Sequence, residues 1–225
     1  MSEAPFQPEH FRRQDERDDR LFYVMPRLVT HIDDHAIEAV RRLYAELLPR
    51  DAMVLDLMSS WKSHLPEEPP RRRTVGLGMN APELRENDQL DGWLVHDLNR
   101  CPQLPFRDAA FDAVVLAVSV QYLTRPVEVF AEVRRVLRPD GPFVITYSNR
   151  LFPEKAVSIW SACDMEQRAR LIATYLGRAG GWGEVNAQDR SPRPGFPADP
   201  LYAVWARKGL KGSLPTRRPG LQPGL

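Results

Sequence analysis

Residues Asp51 to Leu65 read D-A-M-V-L-D-L-M-S-S-W-K-S-H-L. The apolar run Met53 to Leu57, bounded by polar residues, suits a β-strand buried on both faces. It leads into a short loop of serines and a tryptophan, Met58 to His64. In open α/β sheets ligands bind beyond the carboxyl ends of the strands, which makes this loop the first place to look for chemistry.

Upstream, the spacing predicts a helix opened by Thr30, with Asp33 and Asp34 in its first turn, where carboxylates meet the positive end of the helix dipole. Ile32, Ala36, Val40, Leu43 and Leu47 recur on one face, and Pro49 ends the helix. Downstream, Pro66, Pro69 and Pro70 exclude a continuous helix or central strand between residues 65 and 70. Short strand-like runs then follow at Thr74–Gly78, Trp93–Leu98, Phe111–Val118, Phe143–Tyr147, Gly183–Gln188 and Leu201–Ala206. Helices are expected at Ala81–Glu86, Pro126–Leu137, Pro153–Trp160 and Asp164–Leu176. Alternation of this kind predicts an α/β fold: a Rossmann-like, seven-stranded, mostly parallel sheet with helices on both faces and the last strand antiparallel.

The ends of the chain differ in composition. Residues 1–20 are densely charged and are expected to form a mobile arm. Residues 21–208 form a single domain, within which 21–49 comprise a lid segment (Phe22, Tyr23, Met25, Leu28) and the first helix. Residues 209–225, rich in Pro, Gly and Arg, are expected to be a disordered tail.

Bulk numbers narrow the function. The 225 residues carry 31 Lys plus Arg against 30 Asp plus Glu, a formal net charge of +1. Such a balance gives no long-range attraction to nucleic acid or an anionic membrane. Arg71, Arg72 and Arg73 read as a solvated turn. Cys101 and Cys163 are far apart, which fits neither a disulfide scaffold nor a thiolate metal site and suits a reducing compartment. No run approaches the roughly 20 apolar residues of a membrane helix, and the N-terminus lacks a secretory apolar core. A cytoplasmic protein is the expectation. His31 and His35 lie four apart, but Asp33 and Asp34 are explained by capping and no third ligand is evident, so no metal is expected.

Val54-Leu55-Asp56-Leu57-Met58-Ser59-Ser60-Trp61-Lys62 resembles the V-L-D-L-G-C-G-T-G stretch of class I S-adenosylmethionine-dependent methyltransferases, with Met58, Ser60 and Lys62 in place of all three glycines. Further on, Asp97, Leu104-Pro105-Phe106 and Phe111-Asp112 resemble the D…L-P-F…F-D block of the type 11 methyltransferase domain. Arg134 to Gly141, R-R-V-L-R-P-D-G, is similar to that family's R-V-L-K-P-G-G turn. The resemblance covers about Met53 to Tyr147.

The resemblance implies S-adenosyl-L-methionine as cofactor. Asp97 would accept from the adenine amino group, with backbone at Leu98 pairing with the ring; the alternative is a strand-end Asp that caps the following loop. Asp56 would help to hold the methionine amino group, or else brace the loop. Met58, Ser59, Ser60 and Ser119 would border the cofactor. V-G-L-G-M-N-A-P-E-L places Gly78 where the family carries its ribose-binding acid, and leaves Asn80 as a neutral substitute. Many family members carry a His where this chain has Gln121. Catalytic candidates are Tyr122, His31 and His64, and candidates facing an acceptor are Tyr23, Arg27, Trp61, Asn149 and Arg150, the last able to pair with an acidic group.

Two readings of function follow. One is a methyltransferase acting on a small molecule. The other is a catalytically silent member of the fold with a binding or regulatory role, suggested by the lost glycines and the lost acid. A nucleic-acid methyltransferase is disfavoured by the charge and by the absence of an N/D-P-P-Y-type motif. No G-x-G-x-x-G follows a strand, as a nicotinamide dehydrogenase would require. The acceptor and the oligomeric state are not encoded in any recognisable motif.

Overall fold

A computed structural model of the chain describes residues 6–192 and 197–210. Seven strands form one sheet: β1 (Ala52–Leu57), β2 (Arg71–Gly78), β3 (Gly92–Val95), β4 (Ala113–Ala117), β5 (Pro142–Tyr147), β6 (Asn186–Asp189) and β7 (Tyr202–Arg207). Their order is β3-β2-β1-β4-β5-β7-β6. β1 pairs in parallel with both β2 and β4, and β5 pairs antiparallel with β7. The order reverses between β1 and β4, which opens a crevice at the carboxyl ends of those two strands.

Period-two alternation sorts side chains onto two buried faces. Val54, Ala113, Val115, Val144 and Ala203 point to one face, where helix α2 (Asp34–Leu47) lays down Ala36, Val40, Leu43 and Tyr44. Leu55, Leu57, Val114, Leu116, Phe143, Ile145 and Val204 point to the other. There α4 (Pro126–Val136) and α6 (Met165–Ala179) supply Phe130, Val133, Ile172, Tyr175 and Leu176. The remaining helices are single turns: α1 (Asp19–Phe22), α3 (Ala81–Arg85) and α5 (Ser158–Ser161). α2 starts later than Thr30 because Asp33 is the cap, its carboxylate accepting from Ala36 N at 2.8 Å. The helix expected over Pro153–Trp160 shrinks to α5, since residues 153–155 form a turn and Val157 is an extended N-cap. β3 stops at Val95, which leaves Asp97 in the loop beyond it.

Between β1 and β2 no helix forms among residues 58–70. Polar bonds fix this crossover instead. Asn87 Nδ2 donates to Ser60 O (2.8 Å) and Ser63 Oγ (2.9 Å), and Gln89 exchanges two bonds with the backbone of Leu65.

The charged segment before residue 21, expected to be mobile, is docked on the domain over residues 6–20. Phe6 and Phe11 pack on Tyr175, with ring centroids 5.3 and 6.2 Å away. The fully buried Lys155 Nζ reaches Asp19 Oδ1 at 3.0 Å and the carbonyls of Asp15 and Arg17. Arg13 pairs with both Asp19 oxygens at 2.8 Å. Composition suggests solvation, but each buried charge here has an opposite partner, and that makes its burial tolerable. Of the expected disordered tail, Gly209 still bonds Gly181 O at 3.0 Å, and residues 211–225 lie outside the described residues.

Candidate active site

A cavity of about 390 Å³ lies at the carboxyl ends of β1, β2 and β4, within the range of small-molecule sites. Its floor is the loop Met58–Ser60, the end of β2 and the loop His96–Asn99. Its roof is the docked segment, through Asp19, Tyr23, Arg27, Thr30 and His31, and Tyr122 and Phe152 close one side. A second, small cavity of about 70 Å³ contains Asp56, Trp61 and His64 and shares the wall Met58–Ser60, His31 and Ser119 with the first.

The roof is tied down by named bonds. Asn80 Nδ2 donates to Tyr23 O at 2.7 Å, Trp61 Nε1 donates to Val29 O at 2.9 Å, and Glu83 Oε1 accepts from Arg27 N at 2.7 Å. Glu83 Oε2 accepts from Ser60 Oγ at 2.7 Å, so one carboxylate links the roof to the loop after β1. Phe22, Tyr23, Tyr122, His31 and Phe152 form a ring cluster, with centroids 4.9 to 5.9 Å apart. The Arg27 guanidinium stacks 4.5 Å from Phe22 and 5.2 Å from Phe152.

The loop after β1 shows what replaced the glycines. Met58 adopts φ 57°, a left-handed conformation that favours glycine, although the residue has a side chain. Val118, at the end of β4, has φ 48°, a strained value for a β-branched residue beside a binding crevice. Ser59 N donates to Leu77 O at 2.9 Å, folding the loop over β2. A Cβ on Gly78 would lie 2.1 Å from Ser59 O. The loop after β1 therefore occupies the space that any side chain at position 78 would require.

The sequence candidates separate accordingly. Asp97, Leu98, Asn80, Met58, Ser59, Ser60, Ser119, Tyr23, Arg27, His31, Tyr122 and Arg150 all border the main cavity. Asp97 Oδ1 accepts from Asn99 N (3.0 Å) and Arg100 N (3.2 Å), and its other oxygen makes no protein hydrogen bond among the described residues. Asp56 is 2% exposed and borders the small cavity rather than the main one, which fits the bracing alternative. Its Oδ2 accepts from Ser59 Oγ (2.5 Å) and Ser63 Oγ (2.6 Å), so it braces the loop. Burial raises its pKa to about 6, against the two serine bonds. Asn80 Nδ2 donates to the Tyr23 carbonyl and its Oδ1 accepts from Glu83 N, so in this structure its amide is engaged with the lid and with α3. His64 and Trp61 reach only the small cavity, and burial pushes His64 down to about 4. Asn149 is exposed and borders neither cavity. Arg150 is paired with Asp199 at 3.2 Å.

His31 is exposed overall but lines the cavity with one face of its ring against Phe152. Desolvation on that side lowers its pKa from the ordinary 6.5, with Glu83 opposing and Arg27 adding, which favours the neutral imidazole at pH 7. Burial raises the Tyr122 pKa and outweighs the hydrogen bond that its Oη accepts from Phe152 N at 2.9 Å, which acts to lower it. Sequence reading missed Glu83 and Asp19. Glu83 was one residue of the expected helix Ala81–Glu86, and Asp19 was one acid in a charged run; only the fold brings both to the cavity. Burial pushes the Asp19 carboxyl up, but Arg13, Asn99 and Lys155 outweigh it and hold the group below its usual range. Among the described residues no cluster of His, Cys, Asp or Glu could hold a metal ion, and no helix is long and apolar enough to cross a membrane.

Residues 69–145 match a methyltransferase domain family model. The match begins beyond the altered loop and runs from β2 into β5. No curated protein matches the chain in sequence. Among solved structures the chain is similar to a SAM-dependent methyltransferase from Thermotoga maritima, at 13% identity and TM-score 0.55 over 77% of this chain and 89% of that one. It is also similar to a Haemonchus contortus phosphoethanolamine N-methyltransferase solved with S-adenosyl-L-methionine, at 12% identity and TM-score 0.52 over 78% of this chain and 52% of that one. A third is the [4+2]-cyclase SpnF, at 17% identity and TM-score 0.54 over 76% of this chain and 81% of that one. At such identities the likeness is one of fold. With the strand order and the antiparallel β7 in hand, the chain has the fold of these class I methyltransferases, and residues 69–145 within it match the methyltransferase domain model.

Proposed function

We propose that the chain is an S-adenosylmethionine-dependent methyltransferase acting on a small-molecule acceptor. The observation that carries this reading is the roofed cavity at the β1/β4 switch point, with Asp97 presenting a free carboxylate oxygen at its rim. The residues fit a nucleoside cofactor: Asp97 Oδ2 and the Leu98 backbone for its base, Met58–Ser60 and Ser119 along its other end. When bound, such a cofactor supplies an activated methyl group on a sulfonium.

The chain's own part is placement and water exclusion. Holding an acceptor in line with the methyl group supplies much of the acceleration. The roof residues Tyr23, Arg27 and His31 keep bulk water off the cavity, and Tyr122 and Phe152 give a flat apolar wall for an acceptor. His31, neutral at pH 7, takes the proton of an acceptor hydroxyl or amine. Asp56 keeps the loop in place through Ser59 and Ser63 without touching the cavity. A volume of about 390 Å³ and a net charge of +1 both suit a small acceptor better than a polyanion.

A second reading, a binding protein without turnover, is favoured by one observation: Ser59 O closes the position over Gly78 where the ribose acid belongs. The fold does not decide between the two, since it also serves the cyclase SpnF. Calorimetry with S-adenosylhomocysteine, followed by a screen of small acceptors with a methyl-labelled donor, separates them. Binding with transfer supports the enzyme; binding without transfer to any acceptor supports the second reading. No heat at millimolar ligand removes the enzyme and favours the silent-fold reading.

A further inference from the structure

We propose that Arg27 is the anchor for the carboxylate at the amino-acid end of the cofactor, a role that the backbone of the loop after β1 has given up. This rests on the reading that the cavity receives S-adenosylmethionine.

Three observations lead there. First, the loop is committed elsewhere: Ser59 N–H is bonded to Leu77 O at 2.9 Å, and Ser60 Oγ is bonded to Glu83. Backbone amides at such a turn are the ordinary anion donors, and here one of them faces the sheet. Second, Arg27 Nη1 is buried with no hydrogen-bond partner, while Nη2 bonds Phe22 O at 3.0 Å. Among the described residues no carboxylate lies within ion-pair distance of this guanidinium, whereas the cavity's other arginine, Arg150, is paired with Asp199. A buried cationic donor without an acceptor is costly, and a ligand carboxylate relieves that cost. Third, position agrees. Arg27 N is bonded to Glu83, whose other oxygen holds Ser60, so Arg27 stands over the β1 end of the cavity. Asp97 stands beyond β3, two strands away, roughly 10 Å at ordinary strand spacing. A nucleoside whose base lies at Asp97 carries its tail toward Arg27. The tail is a zwitterion, and Glu83 beside Arg27 offers the complementary charge to its ammonium. Stacking on Phe22 and Phe152 holds the guanidinium plane in place before any ligand arrives.

The test compares S-adenosylhomocysteine with 5′-methylthioadenosine, which keeps the nucleoside and lacks the amino-acid end. Calorimetric titrations are run on the wild-type chain and on Arg27→Met and Arg27→Lys. Arg27→Met should weaken S-adenosylhomocysteine by roughly 10- to 100-fold, the loss expected for a charge-assisted bond, and leave methylthioadenosine within about twofold. Arg27→Lys should recover part of the loss. Equal weakening of both ligands assigns Arg27 to packing of the roof and overturns the proposal. Unchanged affinity for both also overturns it and leaves the guanidinium to an anionic acceptor. Failure of the wild-type chain to bind either ligand removes the cofactor reading itself, a result distinct from the other two.

Discussion

Replacing Asp56 by Asn should make the protein more stable at neutral pH and should do so only there. The carboxylate is 2% exposed, accepts two serine hydroxyls on one oxygen, and has its pKa raised from 3.8 to about 6 by burial. A carboxyl whose folded pKa exceeds its unfolded value binds its proton more tightly in the native state, so stability falls as pH rises from the unfolded pKa through the folded one. At 1.36 kcal/mol for each unit, a shift from 3.8 to about 6 costs the native state about 3 kcal/mol above pH 6 and nothing below pH 3.8. Asn keeps an oxygen for Ser59 and Ser63 and carries no charge. The Asp56→Asn protein should therefore gain up to about 3 kcal/mol at pH 7.5, or roughly 6–12 °C in melting temperature for a domain of this size. The gain should shrink steadily between pH 6 and pH 4. Urea unfolding of both proteins across that range is the assay, and other titrating groups cancel in the difference. A gain independent of pH, or a loss at pH 7.5, refutes the account of Asp56 as a strained, buried brace.

Gly78→Ala should destabilise the domain by roughly 1–3 kcal/mol, because its Cβ meets a backbone oxygen at 2.1 Å; an unchanged urea midpoint would contradict the loop placement. Gly177→Ala is the opposite case: it lies exposed in α6 with nothing within 4 Å, and should stabilise by about 1 kcal/mol in the same assay. Lys155→Met should cost roughly 3–5 kcal/mol, since Asp19 loses a buried cation, and should speed tryptic cleavage at Arg17 and Arg20. Retention of both midpoint and cleavage rate would show that the arm does not depend on that pair. For an acceptor that must lose a proton, His31→Gln should slow methyl transfer by roughly 100-fold or more while S-adenosylhomocysteine still binds. The wild-type rate should fall only as pH drops through a His31 pKa held below 6.5 by burial, and a midpoint above that value excludes His31 as the base.

The altered loop and the absent acid look unrelated when read along the chain. In space the loop and position 78 are in contact: Met58 keeps a glycine-like backbone angle, Ser59 crosses to Leu77, and Gly78 must lack a side chain because Ser59 lies on it. The lid is a comparable case. Its aromatic composition was legible, but its anchors Asn80, Glu83 and Lys155 lie 56 to 140 residues from their partners.

The sequence by itself determined the sheet. The apolar runs around Val54, Val75, Val115 and Val144 have the length and spacing of buried parallel strands, and hydrophobic period is a local property that each segment carries alone. The resemblance to methyltransferases also singled out Asp97 and Tyr122, and both border the cavity. Only the tertiary structure decided which polar groups are spent and which remain free. Asp56 and Asn80 are consumed by the loop and the lid, Asp19 is neutralised by a buried lysine, and Arg27 is left with an unpaired donor. Whether a charge is satisfied depends on partners brought from distant parts of the chain, and no local pattern records them.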